Sequence, residues 1–540
     1  MALSTIAPHN SGHAGLPAWS FDPKTAGIIG ALICILPIIA LVPMALSGGG
    51  GHFSHLIDTV LGTYSIHSLI LVLAAMAGTT IFAIPTAWLV ARFDFTGRMA
   101  AMVLLPLPLA MPSYVAAYAW LSMTVSGGVL HSATGGWLPT VSGVSGAAFI
   151  FSVCFYPYVF LLARQAFAAE GGHSFEAARI LGAGPVAAFW RVAMPVARPA
   201  IMAGIALVAM ETLADYGTVD FLGAPTFTVG IIRAWISFGD PEAAARMALI
   251  LVVLTLTFFG FERWMRRKRS VAQAGGRHRP QPRAQLSGMA SLAALGVCLL
   301  PVMIGLIAPA LHLLFLAVDA PRLAPPWTAL GGTFILAASS ALLATVFGMA
   351  AAYAVRSGGN FAGLTVRIAH AGYAVPGAVA ALGVIAVFSG IQTMIAGVPQ
   401  WTGVSIAGGG IIALLFAYQA RFAAAAIGPC ESALLRITPT MDDAARSLGA
   451  SRFEILRRIH LPLASTGVLT AAALVFVEVM KELPATMILR PLDFDTLAIS
   501  AHNFASDERL GQAALPALLL IGLGIPIMLL VSWLSAKSAA

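Results

Sequence analysis

The chain has 540 residues, 59% of them hydrophobic and 10% charged, with a formal net charge of +8. Its mean hydropathy is +0.89. Soluble globular domains carry about 25% charged residues, so this composition excludes a chain solvated mainly by water. The positive balance is explained below by the placement of arginines and requires no nucleic-acid partner.

Residues 1–25 are polar with a single Lys24 and lack a basic leader and cleavage site, so they are expected to form a cytoplasmic tail. Apolar stretches of about 20 residues, enough to span a bilayer, then follow near 26–46, 67–91, 99–123, 145–167, 199–219 and 246–262. A break comes at "RWMRRKRSVAQAGGRHRPQPRAQ", Arg263 to Gln285, which is basic and rich in Gly, Pro and Gln. It is expected to be a disordered cytoplasmic linker occupying 263–288. A second set of spans lies near 289–317, 331–355, 366–389, 409–427, 466–486 and 512–535. The fold class is therefore all-α, a polytopic membrane protein with about twelve transmembrane helices in two halves, 26–262 and 289–535.

Charge sets the expected orientation. Ser47 to Ser65 and Thr124 to Ala147 contain no Lys or Arg. Arg92 and Arg98 flank the link between spans two and three. Arg164, Arg179, Arg191 and Arg198 surround one polar segment, 174–198, and Arg421, Arg436, Arg446, Arg452, Arg457 and Arg458 surround another, 440–465. Positive loops face the cytoplasm, so both segments and both termini are expected there.

The halves are repeats. A shift of 267 residues carries "EAARILGAGPVAAFWRVAMP" (Glu176 to Pro195) onto the end of "DDAARSLGASRFEILRRIHLP" (Asp442 to Pro462), placing Glu176 on Asp443, Arg179 on Arg446, Gly182 on Gly449 and Pro195 on Pro462. It also carries Glu211 onto Glu478 and Asp215 onto Glu482. Upstream, "LAMPSYVAAY" around Pro112 matches "YAVPGAVAAL" around Pro376 at a shift of 264. Even span counts make the repeats parallel, related by an axis along the membrane normal.

Each polar segment reads as a short helix opened by Ser174, or by Thr438 or Thr440, and ended by Gly182 or Gly449 in the left-handed region. A second short helix then leads to Pro195 or Pro462. Phe189, Trp190, Phe453, Ile455 and Leu456 have no reason to face water unless something covers them. A structural loop packed on its own bundle is the plain alternative to a docking knob; duplication at fixed spacing favours the knob.

Glu211 and Asp215 are four apart and share one helix face if the helix continues. Counting from Pro199, they lie about 18 and 24 Å into the membrane. Glu478 and Glu482 repeat the pair. Such acids either pair with Lys481 or Arg490, cap broken helices, or line an acidic path for a cation. Cys34, Cys154, Cys298 and Cys430 are isolated and read as packing residues. None of the four lysines, Lys24, Lys268, Lys481 and Lys537, follows a glycine, so a GxxxxGK[ST] phosphate loop is absent. No catalytic signature stands out.

The spacing acid-Ala-Ala-x-x-x-Gly, then about a dozen residues to Pro, resembles the EAA loop of binding-protein-dependent ABC importer permeases. The resemblance implies the type I permease fold, with Glu176, Ala177, Arg179 and Gly182, and Asp443, Ala444, Arg446 and Gly449, forming two coupling helices that insert into ATPase subunits. Two copies in one chain look like a fused permease. Glu211 to Ala248 and Val477 to Ile499 are similar to segments of ferric iron permeases, which makes Glu211, Asp215, Glu478 and Glu482 candidates for the substrate path. Asp443 departs from the usual Glu but keeps the charge. The implied partners are two ATP-binding cassette subunits, a periplasmic substrate-binding protein and the lipid bilayer of a bacterial inner membrane. ATP and Mg would sit on the ATPase, leaving this chain without cofactor, stable metal or catalytic residue. Thiamine, polyamine, phosphonate and sulfate permeases are the alternatives within the class. A secondary transporter, which would need no duplicated knob, and a membrane-embedded enzyme are the alternatives outside it.

Overall fold

Backbone amides in hydrocarbon have no water to bond, so a chain this apolar must satisfy them within helices. The computed structural model describes residues 23–47, 51–169, 178, 180–273, 283–320, 326–356, 360–395 and 410–539. Among them, ten helices are long and apolar enough to cross a membrane, and two bent pairs raise the count to twelve.

The bent pairs are the third and ninth spans. Arg98–Ala110 meets Ser113–Ala133 at 91°, and Leu364–Ala374 meets Gly377–Gln392 at 117°. Pro112 and Pro376 stand at the breaks. Proline clashes with the preceding helical turn and pushes the residue before it into an extended conformation. Met111 accordingly has ψ 115° and Val375 ψ 118°. The duplicated Pro block of the sequence is thus a duplicated helix break.

Each half packs in the same order. Gly62–Arg92 lies along Gly143–Ala169, which lies along Met194–Ala214; Trp327–Arg356, Ile411–Leu434 and Leu461–Met480 repeat this. The first span of each half is exchanged. Pro23–Leu46 packs on Trp327–Arg356, Asn360–Ala371 and Gly377–Ile395 of the second half, and in its own half chiefly touches Pro241–Gln273. Reciprocally, the seventh span, Gly288–Asp319, packs on Gly62–Arg92, Ser113–Thr124 and Gly143–Ala169 of the first half. Small residues allow the close approach. A Cβ at Gly30 would collide with the Phe347 ring, one at Gly383 with the Pro37 carbonyl, and one at Gly305 with the Val153 carbonyl. Trp120 also donates to the Ile304 carbonyl at 3.2 Å, and Ser122 meets His312 at 2.7 Å.

The linker departs from expectation. Helix Pro241–Gln273 runs on through its basic residues, because Arg, Lys, Met, Ala and Gln are good helix formers and no Gly or Pro intervenes before Gly275. Ala284–Gln285 then pairs in parallel with Phe93–Asp94, and Gln285 Nε2 donates to Asp94 at 3.0 Å. Residues 1–22 of the tail and 274–282 of the linker lie outside the described residues. The pairing sets the linker's end beside the link between spans two and three, at the end of the bundle that carries the two polar loops.

Candidate functional site: two loops and a polar centre

In the second loop, helix Pro439–Ser447 starts after Thr438, whose backbone is extended, with proline at the first helical position. The Thr438 hydroxyl meets Thr440 at 2.8 Å rather than capping the helix. The helix ends at Gly449, φ +84°, as the first loop turns at Gly182, φ +89°. The next amide closes the turn in both copies: Ala450 donates to Ala445 at 3.0 Å and Ala183 to Ala178 at 2.9 Å, the long-range bond of a Schellman cap. Beyond it, Pro185–Ala188 and Arg452–Ile455 each pass through a wide π-helical turn, Phe189–Ala193 and Leu456–His460, into the following span. Glu176, Ala177 and Arg179 lie outside the described residues. Asp443, Ala444, Arg446 and Gly449 are all exposed, and Asp443 and Arg446 pair with each other at 3.2 Å.

The apolar residues of the loops divide. Leu181 and Leu448 are 86% and 88% exposed, and Val186 and Phe453 are 69% and 68% exposed. Both are matched pairs at the 267-residue shift. Trp190 is exposed too, but Phe189 and Ile455 are covered by the bundle itself. Phe189 packs edge-on against Trp88, centroids 4.9 Å apart, and near Phe167 at 6.1 Å. The second loop uses a polar anchor instead. Buried Asp442 accepts from Arg356 at 3.0 Å and meets His460 at 2.7 Å, and Tyr353 hydrogen-bonds the other ring nitrogen of His460. Helix phase turns Asp442 inward and its neighbour Asp443 outward.

The four membrane acids converge where the halves meet, though not on continuous helices. Helix Met194–Ala214 stops before Asp215, and helix Leu461–Met480 stops before Glu482. The helices do not continue, so the shared face that continuity would give each pair is replaced by a helix break. Asp215 accepts from the Thr218 amide at 2.9 Å, the Thr218 hydroxyl at 3.0 Å and Ser113 at 2.7 Å. Glu482 accepts from the Ala485 amide at 3.2 Å and from Arg421 at 2.5 Å. Each carboxylate thus opens a short helix, Gly217–Phe221 or Pro484–Leu489. Glu211 accepts from Tyr373 at 2.6 Å and lies 3.8 Å from Arg421. Glu478 pairs with Lys481 at 2.9 Å, while Arg490 pairs with Asp495.

These acids, with Arg421, Lys481 and Tyr114, line a pocket of about 60 Å³. Toward the loops lies a cavity of about 630 Å³, lined by Tyr158, Tyr373 and Glu478 at its deep end and by Glu262, Arg263, Arg367 and His370 nearer the loops. Glu211, Arg421 and Tyr373 stand between the two.

The profile of the binding-protein-dependent transport system inner membrane components matches the chain twice, over residues 80–271 and 344–539. The chain belongs to that family. The permease is 27% identical over 454 residues to the Fe(3+)-transport system permease protein FbpB 2 of Haemophilus influenzae, covering 82% of this chain and 84% of that protein. It is 27% identical over 260 residues to the sulfate transport system permease protein CysT of Escherichia coli, 45% of this chain and 91% of that protein. Over 211 residues it is 27% identical to the molybdenum transport system permease protein ModB of Haemophilus influenzae, 37% of this chain and 91% of that protein.

Two residues of the permease escaped sequence reasoning. Arg421, one of the arginines around the second loop in the sequence, is buried in span Ile411–Leu434. Its signal was an arginine inside "LLFAYQARFAAAA", too deep to be a loop charge. The corresponding block of the first half, "FYPYVF", has no cation. The other is Gly377, next to the break. A Cβ there would collide with Glu482 and crowd Arg421, whereas Ser113, its counterpart, bonds Asp215.

Proposed function

We propose that the permease is the pore of an ATP-driven importer for ferric iron. One observation carries the substrate: the iron permease relative shares the two-half layout, aligned across 82% of this chain, whereas the sulfate and molybdenum relatives are shorter proteins that match 45% and 37% of it over 91% of their own length. The centre agrees in charge, since four carboxylates face two cations around the inner pocket, which disfavours an oxyanion. In this reading the two loops lie on the cytoplasmic side with both termini. Each receives one ATPase subunit, which carries the ATP and Mg, in the clefts that Leu181, Val186, Leu448 and Phe453 fill. Glu176, Ala177, Arg179 and Gly182 form the first contact, and Asp443, Ala444, Arg446 and Gly449 the second. A periplasmic binding protein delivers cargo to the opposite end, and Glu211, Asp215, Glu478 and Glu482 line its path. The permease moves as two bodies and makes no covalent bond with its cargo.

Radioactive iron uptake tests the reading in cells lacking their own ferric permease and supplied with this chain, its ATPase and its binding protein. Uptake should require all three, and the Glu211→Gln/Glu478→Gln double variant should assemble yet lose most of it. Uptake of sulfate or molybdate without iron would replace the substrate assignment, and uptake without the ATPase would make the chain a secondary carrier.

A further inference from the structure

We propose that the central pocket is a binding site for a hard, multiply charged cation, and that Arg421 is its resting occupant, a tethered competitor that expels cargo as the two halves close. The proposal rests on the cation reading above and adds the residue that controls release.

Hard cations take oxygen donors, and the pocket offers the carboxylates of Glu211 and Glu478, while Glu482 holds the competing Arg421. Asp215 is excluded from this role because Ser113 and Thr218 occupy its oxygens. In the present arrangement no three such groups are gathered to hold a metal among the described residues; a guanidinium stands among them instead. An independent observation points to a ligand. Tyr114 lines the same pocket, is 3% exposed, and its hydroxyl has no hydrogen-bond partner among the described residues. A buried hydroxyl left unpaired is costly, and a cation or its hydration shell in this pocket would supply the missing contact.

The geometry makes occupancy depend on conformation. Arg421 bonds Glu482 of its own half at 2.5 Å but reaches Glu211 of the other half at only 3.8 Å. Glu211 is also held by Tyr373 of the second half, at 2.6 Å. Separation of the halves therefore releases Glu211 from both partners and leaves Arg421 with Glu482. Glu211 can then serve an incoming cation. Closure returns the guanidinium to Glu211, so the closed state has low affinity and the open state high affinity, which is the differential binding that a population shift requires. Glu478 lines both the pocket and the larger cavity, so displaced cargo passes along it toward the loops. Gly377 makes room for the guanidinium in the second half only, so a single competitor serves both halves.

Terbium(III), a hard trivalent ion whose emission is sensitised by nearby tyrosine, is the probe. The full permease with its ATPase subunits is titrated in lipid nanodiscs without nucleotide. Wild type should show weak sensitised emission. Arg421→Gln should raise apparent affinity at least tenfold, and Arg421→Gln/Glu211→Gln should return it to the wild-type level. Arg421→Lys, too short to serve both carboxylates, should fall between. An assembled Arg421→Gln variant with no gain, or a gain that survives Glu211→Gln, overturns the proposal. If Arg421→Gln does not assemble, Arg421→Lys decides, and emission equal to wild type overturns it. Failure of wild-type iron uptake would instead remove the substrate reading and leave the terbium result to stand on its own.

Discussion

Gly182 and Gly449 show how one residue type can carry a loop. Both hold positive φ, and among the described residues neither has an atom within 4 Å of the place a Cβ would occupy. The demand is therefore on the backbone alone, at about 1–2 kcal/mol for an L-residue in this region. The Gly182→Val/Gly449→Val variant should insert normally, lose co-purification of the ATPase, and transport at least tenfold more slowly. Asn at both sites should keep most of the activity, because Asn tolerates the left-handed turn. Full transport by the valine variant would dissociate the loops from coupling. These glycines were legible in the sequence because the spacing repeats and the cap chemistry is local. Asp215 and Glu482 were legible as acids and as candidate caps of broken helices, but their partners Ser113 and Arg421 lie about 100 and 60 positions away and left no local signal.

At the scale of elements, the two loops are fixed to the bundle by different chemistry. Trp88, Phe167 and Phe189 hold the first by ring packing, and Asp442, His460 and Arg356 hold the second by charge and hydrogen bonds. Asp442→Ala leaves Arg356 with only the Leu434 and Ile437 carbonyls and removes the carboxylate from buried His460, at a cost of about 1–3 kcal/mol. Hydrogen exchange should rise sharply over 439–447 in that variant while the segment around 186–193 stays protected. Trp88→Ala, at a cost of about 3–5 kcal/mol for an aromatic truncation, should give the opposite pattern. Equal loosening of both loops would show that the anchors are not separate. The sequence pointed to the two loops as copies; their anchors diverge within the segments, where Asp442 and His460 stand opposite Phe175 and Ala193, and the partners Trp88, Phe167 and Arg356 lie outside them. The paired prolines were likewise visible as a repeat, but their effect, a bend of 91° or 117°, depends on how the neighbouring helices receive the chain.

For the whole molecule, hydropathy located the spans because each must cross the same oil, whatever its neighbours. It could not say which spans touch. The exchange of the first and seventh spans depends on Gly30, Gly305 and Gly383 meeting particular partners across the halves, and nothing in an apolar window records a partner. A permease split near Gly275 should recover transport when both pieces are co-expressed. Either piece alone should be degraded, because its bent pair and its own first span are left uncovered. Stable accumulation of a lone half would contradict the reciprocal packing.

That exchange also sets a clock on biosynthesis. Cys34 of the first span donates to the Ala369 carbonyl, 335 positions later in the chain. At a synthesis rate of about 5–20 residues per second, the first span waits roughly 20–70 s in the bilayer before the surface it fits has been made. During that interval the face that carries Gly30 has no second half to meet, and of its own half chiefly Pro241–Gln273 joins the span before then. The nascent permease is thus most open to membrane proteases early, and its survival depends on how quickly the ribosome reaches the ninth span.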